Sequence, residues 1–218
     1  MSPVICQKKF SEREERTRFI LSRFHEQFTT SVIDVGCYEA PLRRLIPKAE
    51  YFGIDIVGDP DLVCNLEEIE KIPVANKSYD TACCFEVLEH LDSFHRIFED
   101  LFRVARNDVL VSLPNCWCSA RRPVEKGRGS IAHYGLPQAC PVDRHKWFIN
   151  TRQIIQFFED YASSHSGITL VSIVAVENER PALVRSLRKL KHGGDAYLNR
   201  YIHTVVGHFS LGENALPT

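Results

Sequence analysis

The chain has 218 residues, of which 44% are hydrophobic and 25% are charged, so it can bury a full core as one domain. Its net charge of −1 provides no global field to attract nucleic acid or an anionic membrane. The longest apolar run, residues 168–176, is too short to span a bilayer, and no signal-peptide pattern opens the chain. We therefore expect a cytoplasmic protein with eight free cysteines and no membrane span.

The N-terminal segment, residues 1–30, is predicted to be helical. Within residues 11–28, charged side chains alternate with Phe19, Ile20 and Phe24, which is typical of an amphipathic helix. We expect this helix to pack its aromatic side on the domain, as a scaffold or a lid.

The stretch from Ser31 to Ala40 organises the rest of the chain. Its apolar run, residues 32–35, ends at Gly36, which predicts a buried parallel strand followed by a tight turn. Apolar residues at helical spacing begin at Leu42, so a helix opens directly after the turn. A strand, a glycine turn and a helix in this order place backbone N–H groups against a cofactor.

A second strand, residues 51–56, has Asp55 near its end. A carboxylate about twenty residues beyond a glycine turn suits two hydrogen bonds with the hydroxyls of a ribose. The two strands together therefore predict a nucleotide-like ligand at their carboxyl ends.

The rest of the chain continues the alternation of strands and helices. Further strands are predicted at residues 61–66, 79–85, 108–113, 168–176 and 204–210. Further helices are predicted at residues 94–105, 151–161 (capped by Thr151) and 181–192. This alternation implies a mostly parallel sheet that is covered on both faces and binds ligands at its carboxyl edge.

Residues 116–150 interrupt this alternation. They contain several glycines and prolines without a clean period, which predicts a long insert on the substrate side. Side chains of the buried type, including Trp117, Tyr134 and Trp147, argue against disorder.

Four motifs resemble those of class I S-adenosylmethionine-dependent methyltransferases, in particular a type 11-like, small-molecule branch. They are residues 34–37, 53–55, 65–67 and 78–91. Residues 143–148 also look like a segment of bacterial members linked to surface sugars and secondary metabolism. The resemblance implies one domain over residues 1–218. It also implies an α/β, Rossmann-like, doubly wound sheet of seven strands, mostly parallel, with an antiparallel strand in the edge region.

The resemblance also implies which residues bind S-adenosylmethionine. Those along its methionine part are Asp34, Gly36, Cys37, Tyr38, Phe85 and Glu86. Those at its ribose and adenine are Asp55, Ile56, Asn65 and Leu66. The family's turn usually has two or three glycines, whereas Tyr38 and Ala40 take the later positions here.

Methyl transfer is an in-line displacement, for which the protein supplies alignment and, with a hydroxyl acceptor, a base. His133 and His145 in the insert are the candidates for that base, with Tyr134 and Asp143 as orienting residues. Histidines that only tie the loop down are the alternative. The insert is rich in basic side chains, which suits a small anionic acceptor, although a solvated loop would look the same.

A zinc site could be assembled from Cys116, Cys118, Cys140 and His145. Its spacing fits no standard pattern, so no metal is predicted. We expect a methyltransferase that acts on a small-molecule or glycan- or lipid-type acceptor and not on nucleic acid. The alternative is a protein that binds S-adenosylmethionine without transferring a methyl group. A dehydrogenase would explain Asp55 but not the single glycine or residues 86–91. The sequence predicts no oligomeric state.

Overall fold

The computed structural model describes residues 1–139, 141, 143–212 and 215. Within them, one sheet contains eight strands. These are β1 (Val4–Gln7), β2 (Ser31–Val35), β3 (Glu50–Asp55), β4 (Leu62–Val63), β5 (Tyr79–Phe85), β6 (Ala105–Pro114), β7 (Ile168–Glu177) and β8 (Ile202–Leu211). Their order across the sheet is β1-β7-β8-β6-β5-β2-β3-β4.

Helices lie on both faces of this sheet. They are α1 (Arg13–Arg23), α2 (Pro41–Leu45), α3 (Phe94–Val104), α4 (Cys116–Lys126), α5 (Thr151–Ser164), α6 (Ala182–Lys191) and α7 (Gly194–Tyr201). Two 3-10 helices, at His25–Phe28 and Leu88–His90, complete the regular structure of the described part of the chain.

The sheet confirms the predicted Rossmann-like α/β class. Neighbouring strands are parallel except at β8, which is antiparallel to both β6 and β7. The strand count is eight rather than seven, because β1 pairs in parallel with β7 and forms the outer edge. Only four residues long and followed by Lys8 and Lys9, β1 has no alternating pattern that could predict it.

The sheet has an apolar core on each of its two faces. On one face, the rings of Phe98, Phe102, Phe158 and Phe209 pack together between α3, α5 and the strands. The other core includes Ile20 of α1. Large aromatic side chains bury enough apolar area to hold the helices in place, so helices cover both faces of the sheet in the described part of the chain.

Three details of the predicted elements were wrong. The insert begins with the helix α4, capped by Asn115 and ended by Gly127 in a left-handed conformation, where a loop was expected. Asn150, not Thr151, caps α5, in a capping box with Gln153. The N-terminal segment is not helical throughout residues 1–30, because Val4–Gln7 form the strand β1 and the helix α1 ends at Arg23, where a 3-10 turn follows.

Seven cysteines of the described residues are free thiols, and Cys140 lies outside those residues. Among the described helices, none is both long and apolar enough to cross a membrane.

Candidate functional site

The turn after β2 and the loop after β3 are joined by backbone hydrogen bonds. The N–H groups of Gly36 and Cys37 both donate to the carbonyl of Ile54, at 2.7 and 3.1 Å. The N–H of Asp59 donates to the carbonyl of Tyr38 at 2.7 Å. A Cβ atom on Gly58 would lie 2.2 Å from that carbonyl oxygen, so this approach requires glycine. The two predicted cofactor segments are therefore brought side by side.

Asp55 lies between these two segments. Its Oδ2 accepts a 2.7 Å hydrogen bond from the N–H of Tyr38, and its Oδ1 accepts from the N–H groups of Ile56 and Val57. Backbone donors hold the carboxylate at the strand end, and each oxygen keeps further acceptor capacity for a ribose hydroxyl. The ribose role of Asp55 stays a prediction.

The side chain of Asp34 forms hydrogen bonds with the two strands that flank β2. Its Oδ2 accepts from the hydroxyl of Tyr51 at 2.9 Å, and its Oδ1 accepts from the thiol of Cys83 at 3.6 Å. Burial raises the pKa of the Asp34 carboxyl to about 6, although both hydrogen bonds lower it. Its predicted contact with the methionine amino group remains a prediction.

The other predicted contacts along the cofactor lie around these two loops. Cys37 is buried, and burial raises the pKa of its thiol to about 12. The side chain of Ile56 is half exposed, whereas Leu66 is buried. The amide of Asn65 spans its own turn, accepting from the N–H of Glu67 and donating to Glu68. Their roles toward the adenine stay predictions.

Gly36 of the first motif lies directly against Val87 of the fourth motif. A Cβ atom there would lie 2.2 Å from Cγ2 of Val87, and its φ is +83°. Glu86, just before Val87, also has a positive φ, +54°. Its carboxylate pairs with Arg16 and accepts from the hydroxyl of Thr204 at 2.9 Å. This carboxylate is therefore already satisfied within the protein.

A cavity of about 650 Å³ opens next to this segment. It lies among the residues that follow β5, the start of α4, the insert and the segment from α6 to β8. Of the predicted site residues, Glu86, His133 and His145 line it, and Phe85 and the first two motifs do not. Its volume lies within the range of small-molecule sites.

The two candidate bases stack on each other in the cavity wall. The rings of His133 and His145 are nearly parallel, with centroids 4.3 Å apart, and the ring of His90 meets that of His145 edge-on at 4.5 Å. Nδ1 of His133 donates to the backbone oxygen of Asp143 at 3.0 Å, while the hydroxyl of Tyr134 bonds Trp147 and Cys116 instead. Asp143 is thus placed to orient His133, and Tyr134 bonds neither imidazole.

His145 is buried and only weakly basic. Burial, together with the neighbouring rings of His90 and His133, lowers its pKa to about 3. A base with so low a pKa accepts a proton poorly near neutral pH, which counts against His145 as the general base. The assignment of either histidine stays a prediction.

Sequence reasoning missed Glu89 and His90 as a group with His145. One ligand-type atom from each of the three lies within 4.8 Å of the others. The close spacing of Glu86, Glu89 and His90 was visible in the sequence, but the position of His145 against them depends on the fold. A carboxylate and two imidazoles facing one cavity can hold a metal ion.

The cavity is also lined by seven arginines, which form its basic wall. Its guanidinium groups come from α1, α4, the segment after β7, α6 and α7. They belong to Arg13, Arg16, Arg121, Arg122, Arg180, Arg188 and Arg200. Arg121 and Arg200 share Glu125, and Arg16 pairs with Glu86. Among the described residues, the other four form no ion pair.

Known structures share this fold. The small RNA methyltransferase HEN1 superposes with a TM-score of 0.59 at 15% identity, covering 97% of this chain and 27% of that one. A putative S-adenosylmethionine-dependent methyltransferase from Listeria monocytogenes gives 0.57 at 15% identity, covering 92% and 99% of the two chains. Magnesium protoporphyrin IX methyltransferase from Synechocystis PCC 6803, with bound SAH, gives 0.54 at 13% identity, covering 92% and 84%.

No curated protein matches the chain in sequence. The family described as "Methyltransferase domain" matches residues 10–161, which include all four motifs and the insert. The chain therefore belongs to the methyltransferase domain family, and it is an S-adenosylmethionine-dependent methyltransferase.

Proposed function

We propose that the enzyme methylates a small-molecule acceptor that carries an anionic group, with glycan- and lipid-type acceptors included. The observation that carries this proposal is the cavity beside the fourth motif, whose lining combines a basic wall with residues of the Glu86–His90 segment. S-adenosylmethionine supplies an electrophilic methyl group when it is bound. The chain's own residues have to hold the acceptor in line with that methyl group.

Guanidinium groups that form no ion pair among the described residues support an anionic acceptor. Arg122 and Arg188 line the cavity, and both lie near Cys118, whose thiol pKa they lower against the larger effect of burial. Guanidinium groups bind carboxylate and phosphate in a two-pronged geometry. An acceptor carrying either group would be oriented by this wall.

The helix α6 favours a lipid-type acceptor within this class. It has no buried residue, and Leu183, Leu187 and Leu190 are 58–86% exposed. Arg188 of the same helix lines the cavity, so an apolar surface lies beside the basic wall. An acceptor with an acyl chain and a charged head would contact both.

The shared fold alone does not select the acceptor. The name of the Synechocystis protein gives it a porphyrin acceptor, and that of HEN1 gives it small RNA. Our proposal of a small acceptor without a nucleic-acid partner therefore depends on the cavity, together with the net charge of −1.

The first experiment is calorimetric titration with S-adenosylmethionine and S-adenosylhomocysteine, with NAD as the control. We expect binding of the first two and none of NAD. S-adenosylhomocysteine release is then measured with panels of sugar carboxylates, sugar phosphates, anionic lipids, their neutral analogues and short RNA. Turnover restricted to neutral analogues or to RNA would contradict the proposal. Cofactor binding without turnover on any panel would favour the alternative, a binding protein without transferase activity.

A further inference from the structure

Glu89, His90 and His145 form a compact group of ligand-type side chains in the cavity wall. One ligand atom from each lies within 4.8 Å of the other two. Glu89 and His90 are neighbours in the 3-10 helix that follows β5, and His145 comes from the insert. The N–H of Lys146 donates to the carbonyl of Glu89 at 2.8 Å, which fastens the insert to this 3-10 helix.

The carboxylate of Glu89 lacks a partner that its burial requires. The residue is only 1% exposed, and its Oε2 has no hydrogen-bond partner among the described residues. Arg16 and Arg13 favour the charged form of Glu89, but Arg16 pairs with Glu86 and neither forms an ion pair with Glu89 among the described residues. Leaving a buried carboxyl oxygen unpaired costs free energy, so the position is explained if a cation binds there.

The two imidazoles complete a donor set. His145 is buried and His90 is partly buried, and both rings lie within ligand distance of the Glu89 carboxylate. His90 also forms a hydrogen bond with the backbone of Arg144, which leaves its other ring nitrogen for a ligand bond. Backbone bonds of this kind fix the orientation of metal-binding histidines in proteins.

We propose that Glu89, His90 and His145 bind one divalent cation of the first transition row, with its remaining coordination positions open to the cavity. Two nitrogens and one carboxylate suit Mn²⁺, Fe²⁺, Co²⁺ or Zn²⁺, whereas Mg²⁺ and Ca²⁺ prefer oxygen ligands throughout. The cysteine-based zinc site, which the spacing of its residues argued against, is a different one, since it includes Cys140, which lies outside the described residues.

The role of the ion rests on the proposed function. A cation beside the basic wall would coordinate a hydroxyl or an anionic group of the acceptor and lower the pKa of that hydroxyl. The acceptor oxygen would then lose its proton to water and form the new C–O bond. The electron pair of the broken S–C bond would stay on the sulfur.

The test measures metal binding without cofactor or acceptor, so its failure is separate from that of the proposed function. Untagged full-length protein is freed of metal with a chelator and titrated with Mn²⁺ alone, and free Mn²⁺ is counted by electron paramagnetic resonance. We expect one Mn²⁺ per chain and nitrogen couplings from imidazole in the spin-echo spectrum.

Two substitutions remove ligands, and one serves as the control. Glu89→Gln and His145→Gln should each weaken Mn²⁺ binding at least tenfold and abolish the rise in Tm that Mn²⁺ produces. His25→Gln changes an exposed histidine outside the cavity and should change neither quantity. Circular dichroism checks that each variant is folded, and His90→Gln replaces any that is not. Absence of Mn²⁺ binding by folded wild type, or unchanged affinity in both ligand variants, would overturn the proposal.

Discussion

The hydroxyl of Tyr51 on β3 donates a 2.9 Å hydrogen bond to Asp34 on the neighbouring strand β2. Asp34 is buried. Burial raises the pKa of this carboxyl from 3.8 to about 6. The folded state therefore holds the proton more tightly than the unfolded state does, and ionisation of Asp34 opposes folding.

This pKa predicts a loss of stability as the pH rises from 4 to 7. Below pH 3.8 both states are protonated, and above about pH 6 both are ionised, so the loss accumulates between these values. A difference of roughly two between the pKa values of Asp34 in the folded and unfolded states corresponds to about 3 kcal/mol in the free energy of unfolding. Asp34→Asn should remove this part of the pH dependence, measured by urea unfolding at pH 4 and 7.5. The exposed Asp195→Asn should retain it, and equal pH dependence in wild type and Asp34→Asn would contradict the assignment.

A second prediction compares Gly58 with Gly135. Both have a positive φ, but only at Gly58 would a side chain also clash with its surroundings. Gly58 has φ +91° and would place a Cβ atom 2.2 Å from the backbone of Tyr38, whereas Gly135 has φ +106° and nothing within 4 Å. Gly135→Ala should cost about 1–2 kcal/mol from the backbone conformation alone. Gly58→Ala should cost at least about 2 kcal/mol more and should also weaken cofactor binding, because the two loops must separate. Similar unfolding free energies for both variants would rule out the close approach.

Asp55→Asn tests the proposed ribose contact. Loss of a charge-assisted hydrogen bond is worth about 1.5–3 kcal/mol, so S-adenosylhomocysteine should bind about 10–100-fold more weakly. Calorimetry measures the affinity, and thermal unfolding reports any effect of the lost backbone contacts. Asp59→Asn is the control, since Asp59 lies in the same loop and its exposed carboxylate pairs with Arg43. If both variants bind with wild-type affinity, Asp55 has another role.

The strands β2 and β5 and the helix α3 were predictable because the local pattern of apolar residues agrees with the tertiary structure there. Residues 32–35 and 79–85 are mostly apolar, and α3 places its large apolar residues on one face. The start of the insert was not predictable in the same way. The helix α4 contains Pro123 and several basic residues, and its start depends on the side chain of Asn115, which also donates to the carbonyl of Ile202 at the start of β8.

The site shows a similar division. Asp55 and Gly36 could be identified because their motifs are local in the chain. The approach of His145 to Glu89 depends on the packing of the insert against the segment after β5, and no sequence spacing encodes that packing. The unpaired oxygen of Glu89 is likewise a property of burial, which becomes visible only in three dimensions.

Arg122 and Lys126 provide a matched pair for the acceptor proposal. Both are exposed cations of α4, but only Arg122 lines the cavity. If the acceptor carries an anionic group, Arg122→Gln removes a charge-assisted contact and should raise the acceptor KM about tenfold, with kcat and cofactor affinity within about twofold of wild type. Lys126→Gln should leave all three unchanged. Steady-state kinetics with an acceptor found in the panel checks this. Equal effects of the two substitutions would mean that the helix acts through general charge, because only a specific contact distinguishes a residue inside the cavity from one outside it.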